Sequence, residues 1–108
     1  MNKKKQKTIY IGSVGVDSGQ LMVCDPCYID SHWTKNTQKN GSLDVNTDKF
    51  GYTSACKSTL KSKLNGGDCS GDNDSHLAVA TSTAFGDGVY NVYQKYINGQ
   101  LKELIIKL

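Results

Sequence analysis

Apolar residues along this chain come in short runs broken by Gly, Asp, Asn and Ser, a pattern that predicts strands and turns rather than long helices. Residues 8–11 (TIYI) form the first strand candidate, and Gly12, Gly15 and Gly19 interrupt the stretch after it. Gln20 to Cys24 (QLMVC) is a second strand, ending at Asp25-Pro26 because Pro26 cannot donate a ladder hydrogen bond. Tyr28 to Lys35 suits a short helix or helical turn capped by Asp30 or Ser31. Residues 36–48 are polar and turn-prone and read as a long surface loop. Tyr52 to Leu64 allows either a short helix or a strand, and residues 65–75 (NGGDCSGDNDS) read as a loop.

The last third is the most informative. His76 to Ala80 reads as a strand and Thr81 to Gly88 as a turn region. Val89 to Ile97 and Gln100 to Leu108 are strand runs separated by Asn98-Gly99, a strong hairpin signal. A two-residue loop opposes Lys95 to Lys102 and Asn91 to Ile106. A three-residue loop with a bulge opposes Tyr90 to Ile106 and Val92 to Leu104, and separates apolar from polar positions better. The pattern therefore favours the longer loop, although the turn dipeptide itself favours the shorter one.

Together these elements predict a mainly β, β-rich α+β fold. It would be a small antiparallel sheet or partly open barrel, with a C-terminal hairpin and at most one or two short helices. A chain of 108 residues has the size of one domain. The expected organisation is a flexible basic tail over 1–7 and a single β-rich domain over 8–108. A core of this size leaves little surplus stability, which makes a homo-oligomer a natural expectation.

Charge refines the picture. Lys3, Lys4, Lys5 and Lys7 cluster in the tail, while the remaining 101 residues carry nine Lys against ten acids. The basic balance belongs to the tail, and reads as a solubilising terminus rather than a specific nucleic-acid surface. There is no Arg, so bidentate recognition of phosphate or guanine by guanidinium is excluded. No apolar run has signal-peptide or membrane-spanning length, so the expected location is the cytoplasm, without membrane association.

Four cysteines in such a compartment are expected as reduced thiols. Cys24-x-x-Cys27 with Cys56 and Cys69 lacks the second CxxC knuckle of a zinc ribbon. No long amphipathic helix follows Cys27, which weighs against a redox motif. Structural thiols are the favoured reading, with no metal and no cofactor. Asp44-x-Asn46-x-Asp48 opens like a calcium loop, but Lys49 and Ala55 stand where Gly and Glu are needed. His32 and His76 sit in no metalloprotease or nucleophile-elbow motif.

Two turn motifs remain as candidate sites. Gly86-Asp87-Gly88-Val89-Tyr90 holds an Asp between glycines just before a strand. It could present a carboxylate and bare amides to a ligand, with Tyr90 or Tyr93 as a stacking surface; the simpler alternative is a β-turn satisfied by its own Asp. Asp17-Ser18-Gly19 and Asp25-Pro26-Cys27-Tyr28 bracket the second strand. At strand spacing Asp17 and Asp25 stand roughly 20 Å or more apart and do not form an acid/base pair. The candidate ligand-binding residues are Asp17, Ser18, Asp25, Tyr28, Asp87, Gly88, Tyr90 and Tyr93, with no catalytic residue assigned.

The strings VGVDSGQLMVCDPCYIDS (14–31), YTSACKSTL (52–60) and FGDGVYNVYQKY (85–96) resemble a group of short, uncharacterised proteins of bacteriophages and prophages. That resemblance implies a phage-encoded cytoplasmic protein and brings no activity with it. Its members often carry Pro where Asn91 stands, which implies an edge strand there. Small phage accessory proteins commonly act by binding, so the resemblance points to a non-enzymatic anti-defence binder that sequesters a nucleotide-like immune signal. A phosphodiesterase using Asp17, Asp25, Asp87 or His76 and a protein–protein inhibitor of a host factor are the alternatives. The mean hydropathy of −0.49 does not decide whether an apolar docking patch exists.

Overall fold

The computed structural model describes residues 5–35, 38–39, 42–43, 49–60 and 62–108. Tail residues 1–4 and the calcium-like Asp44, Asn46 and Asp48 lie outside them. The strands are β1 (Gln6–Val16), β2 (Gln20–Cys24), β3 (Gln38–Lys39), β4 (Ser42–Leu43), β5 (Gly66–Asp68), β6 (Ala78–Ser82), β7 (Gly88–Ile97) and β8 (Gln100–Ile106). The helices are α1 (Cys27–Ser31) and α2 (Tyr52–Leu60). The fold is mainly β, as the pattern predicts: two antiparallel three-stranded sheets, ordered β1-β7-β8 and β2-β6-β5, and a small β3-β4 pair. Neither three-stranded sheet closes into a barrel. The chain forms two compact units, Met1–Gly19 with Thr83–Leu108, and Gln20–Ser82.

In the first unit β7 is the central strand. Ten rungs tie it to β1, from Gln6↔Ile97 to Val16↔Gly88, with an irregularity between Tyr10 and Gly12. β1 is longer than the TIYI string suggests because its glycines are accommodated within the ladder rather than ending it. Its first rungs take in Gln6 and Lys7, and the Lys5 N–H donates to the Asn98 side-chain oxygen at 3.1 Å.

The hairpin corrects the favoured register. Asn98 (φ 51°) and Gly99 (φ 79°) both adopt left-handed geometry, which makes a two-residue loop flanked by Ile97↔Gln100. Between Lys95 and Tyr96 the register shifts, so that Lys95 opposes Glu103 and Val92 opposes Ile106. The extra residue sits within β8, not in the turn. A constant register was the wrong assumption, because a bulge can reset facing after the turn has set it.

Asn91 lies in the central strand, not an edge strand. Its carbonyl accepts the Lys107 N–H at 3.0 Å, just past the end of β8. On that side Gly88–Tyr90 extend beyond the neighbouring strand, so this end of β7 has the character of an edge.

The second unit holds a core of Phe50, Ala55, Cys69, Leu77, Ala78 and Ala80, with Met22, Cys24, Tyr28 and Trp33 packed against it. Trp33 meets Phe50 edge-on at 5.1 Å between ring centroids. Register places Met22 opposite Ala80 and Cys24 opposite Ala78 on the core face. Leu21, Val23, Val79 and Thr81 alternate to the other face.

α2 resolves the ambiguous stretch as a helix that begins at the Gly51 carbonyl, which accepts the Ala55 N–H. Ser54 accepts the Gly51 N–H, satisfying an N-terminal donor. The helix is held by hydroxyls as much as by apolar burial. Ser54 and Ser58, one turn apart, donate to the carbonyls of Cys69 (2.7 Å) and Asp68 (2.8 Å), and Ser62 donates to that of Gly66 (2.8 Å). β5 is the edge of its sheet, and the Ser58 and Ser62 hydroxyls occupy the outward carbonyls of Asp68 and Gly66 that an edge leaves open. Gly66–Asp68, within the stretch expected as loop, is thus a strand, paired with β6 on its other side.

α1 also departs from expectation. It starts directly after Pro26 rather than at Tyr28, and ends at Ser31 rather than Lys35. Asp25, not Asp30 or Ser31, supplies the side chain at its start, accepting the Cys27 N–H at 3.1 Å. Pro26 (φ −55°) is preset for that first turn.

Candidate functional site

The sequence-predicted residues fall into two places. Asp17, Ser18, Asp87, Gly88 and Tyr90 gather at one end of the β1·β7 ladder, where Val16 pairs with Gly88. The Thr83 N–H donates to the Gly19 carbonyl at 3.0 Å, joining the 17–19 turn to the 83–87 turn. Asp17, Ser18 and Asp87 are exposed. Tyr90 is 6% exposed, and its hydroxyl donates to the Gly86 carbonyl, as does that of Thr83. Its ring braces the turn that holds Asp87. Tyr93 is three residues along a regular strand and so on the opposite face, where it meets Tyr10 edge-on at 5.8 Å. Tyr90 and Tyr93 therefore do not form one stacking surface. Two exposed carboxylates at this sheet end also disfavour phosphate there.

Asp25 and Tyr28 belong to the second unit and line a groove of about 500 Å³ there. Val23, Cys24, Asp68, His76, Leu77, Ala78 and Val79 also line it. The floor is set by register: Val23 opposes Val79, and Val79 opposes Asp68, so these three side chains form a row across β2, β6 and β5. Val23 and Val79 are 47% and 54% exposed, and open apolar surface of this kind suits ligand contact. Tyr28 stands at the rim with its ring edge-on to His32 at 5.3 Å.

The 69–76 loop is organised by Asp68. Its carboxylate accepts the N–H of Ser70 at 2.8 Å, an Asx turn, and that of His76 at 3.3 Å. Hydrogen bonds from the Ser70 hydroxyl and backbone, then from His76, hold the Asp68 carboxyl below its ordinary value. Ser70 is 1% exposed, and its hydroxyl accepts the Leu77 N–H at 2.8 Å. His76 takes a left-handed φ of 64°, uncommon for a residue with a side chain, at the groove wall. Two smaller grooves border the same loop. One is lined partly by Lys57, Ser58 and Asp72, the other partly by His32, Lys49 and Asp74.

Sequence reading missed Asp68. The signal was present, since Asp followed two residues later by Ser is Asx-turn chemistry, but the flanking glycines made the whole stretch read as loop.

Three of the thiols, Cys24, Cys27 and Cys69, are shifted away from reactivity. All four cysteines are free. Burial pushes Cys69 up to about 11 and also raises Cys24. Cys27 is raised chiefly by a hydrogen bond with the Asp25 carboxylate. Redox and nucleophilic cysteines need the opposite shift. Among the described residues no three His, Cys, Asp or Glu side chains gather to hold a metal ion. No helix among them is long and apolar enough to cross a membrane.

With this geometry in view, residues 6–106 match the family described as protein of unknown function (DUF4241). The chain belongs to the DUF4241 family. No curated protein and no solved structure matches the chain. Within this DUF4241 chain the match spans both the paired turns at the β1·β7 end and the groove bordered by Asp25, Asp68 and His76.

Proposed function

We propose that this DUF4241 chain is a non-enzymatic binding protein that holds a nucleobase-bearing small molecule in the groove lined by Asp25, Tyr28, Asp68 and His76. The observation that carries the reading is the lining itself: an apolar Val23–Val79 floor with two carboxylates and an aromatic rim, in about 500 Å³. That volume falls in the range of small-ligand sites. Carboxylates accept hydrogen bonds from the amino and imino edges of bases, while Tyr28 offers a ring face or edge. Among the described residues no Lys lines this groove, so phosphates of such a ligand would point to solvent.

Binding is favoured over catalysis by the state of the ionisable groups. The Asp68 carboxyl is lowered and engaged by backbone donors, and Cys24 is raised. Neither is tuned as a general base or nucleophile at neutral pH. In the phage setting that the sequence resemblance implies, the role is to sequester a nucleotide-derived immune signal in the host cytoplasm.

The test is to incubate the chain with nucleosides, mononucleotides and cyclic dinucleotides, remove free ligand, and release the bound fraction by heat. Intact ligand, lost on Val79→Asp or Tyr28→Ala, is the expected result. No retention of any of these probes removes the reading.

A second reading rests on Asp25 and His76 lining the same groove. They are two of the four residues that a phosphodiesterase would draw on. Under that reading the same assay returns altered ligand with turnover, abolished by His76→Gln.

A further inference from the structure

The outer edge of β8 carries a self-complementary segment. β8 is the last strand of the β1-β7-β8 sheet. Beyond the bulge, Glu103 to Ile106 keep a single register against β7, with Glu103 opposite Lys95 and Ile106 opposite Val92. The Lys107 N–H donates to the Asn91 carbonyl at 3.0 Å, which continues that ladder. Residues of an antiparallel strand alternate between bonding one neighbour and facing the other. Lys107 and Ile105 therefore turn their backbone groups toward β7, and Leu104 and Ile106 turn theirs outward. Leu104 is also 55% exposed and Leu101 53% exposed. A strand edge with outward amides and apolar side chains is a template for another strand.

We propose that this edge pairs antiparallel with the same edge of a second copy of the chain, about a two-fold axis at Ile105. The two β1-β7-β8 sheets then run on as one continuous sheet. In this register Glu103 opposes Lys107 of the second copy, and Lys107 opposes Glu103. Leu104 opposes Ile106 in both directions, and Ile105 meets its own counterpart.

Two features together select this register. The first is backbone parity, which requires the axis to fall on a residue rather than between two. Leu104 and Ile106 both face outward, so each Leu104–Ile106 pair exchanges both of its N–H···O bonds. The second is charge. Moving the axis to Leu104 sets Glu103 against Ile105, and moving it to Ile106 sets Lys107 against Ile105. An axis at Glu103 puts like charges face to face. With the axis at Ile105, each charge in the segment meets its opposite. A two-fold contact of this kind is isologous and closes at two subunits. The bulge at Lys102, a feature that guards many sheet edges, lies outside the Glu103–Lys107 segment.

Sedimentation equilibrium of the full chain tests the pairing. The wild-type chain is expected to dimerise. Lys107→Glu sets Glu against Glu twice and is expected to weaken the dimer roughly tenfold or more. The swap Glu103→Lys with Lys107→Glu is expected to restore it, with circular dichroism checking that the hairpin persists.

Ile105→Cys gives a second readout that does not depend on charge. Non-hydrogen-bonded partners stand about 4.5 Å apart at Cα, within disulfide reach. Made in a Cys27→Ser background, this variant is expected to cross-link into a covalent dimer on mild oxidation, whereas the background alone, whose remaining thiols are partly or fully buried, does not. A wild-type chain that stays monomeric at millimolar concentration overturns the proposal. So does a dimer that is indifferent to Lys107→Glu and uncross-linked by Ile105→Cys.

Discussion

The Lys95 ammonium lies 3.6 Å from the Glu103 carboxylate across the β7–β8 hairpin, and a bulge is what puts it there. The Asn98-Gly99 turn alone would carry Lys95 to a position opposite Lys102. Like charges directly opposite destabilise a ladder, whereas opposite charges support it. One extra residue in β8 exchanges the first pairing for the second. The same step puts Leu104 and Ile106 opposite Gln94 and Val92, on the face that Leu101 already shares with Tyr96. The bulge thus reconciles the turn chemistry with the apolar pattern.

The ion pair itself should contribute little. Its side chains are 27% and 55% exposed, so water and salt screen it. A double-mutant cycle with Lys95→Ala and Glu103→Ala is expected to give a coupling of about 1 kcal/mol or less. Urea denaturation at low and high salt measures it, and the coupling should shrink with added salt.

The turn that the bulge accommodates should matter more. Gly99 holds a φ of 79°, where a side chain is strained, although no atom would crowd its Cβ. Gly99→Ala is expected to cost about 1–2 kcal/mol through backbone conformation alone. Gly15→Ala, in β1 with open space and no positive φ, is the control and should stay within about 0.5 kcal/mol. Thermal melts of the two variants distinguish conformational cost from steric cost.

Most of the β architecture was legible because it rests on short-range signals. The alternation in QLMVC, the Asp-Pro stop after it and the Asn-Gly turn each act within a few residues. What escaped depends on contacts distant in sequence. β5 is a strand because it pairs with β6 while Ser58 and Ser62 cover its outer carbonyls at Asp68 and Gly66, and no local reading of NGGDCS reveals that. The candidate site divides in the same way. Asp25 and Tyr28 were visible beside their strand, and both line the groove. Asp68 and the Val23–Val79 floor were hidden until the β2-β6-β5 register was known. Tyr90 looked available because aromatic content says nothing about which rings brace a turn.

Ser70 is the clearest single point at which the groove wall could fail. Its buried hydroxyl accepts the Leu77 N–H and bonds the Asp68 carboxylate. Ser70→Ala leaves a buried N–H without its acceptor, at an expected cost of about 1–3 kcal/mol. Hydrogen exchange should show the Leu77 amide losing protection, while the β7–β8 amides keep theirs.

Thiol reactivity gives a check on the core. Cys69 is 2% exposed and raised to about 11, whereas Cys27 is exposed. Alkylation of the native chain near pH 8, followed by peptide mapping, is expected to mark Cys27 well before Cys69. Early labelling of Cys69 would mean that the second unit opens readily or packs differently.

Acid should loosen the groove through Asp68. Hydrogen bonds from Ser70 and His76 favour its ionised form in the folded chain, so its folded value lies below the ordinary 3.8. A carboxyl depressed in this way contributes stability above the unfolded-state value, and that contribution fades as pH falls through the folded one. The wild-type chain should therefore lose stability between pH 5 and pH 2 by more than Asp68→Asn does. The variant should already be weaker at pH 7, because its amide accepts the same N–H groups less strongly. Because Asp68 is exposed, the effect is expected to be small against total stability. Urea midpoints across that pH range measure it. Identical pH profiles for the two chains would show that Asp68 does not clamp the loop, and would leave the left-handed His76 at the groove wall without its anchor.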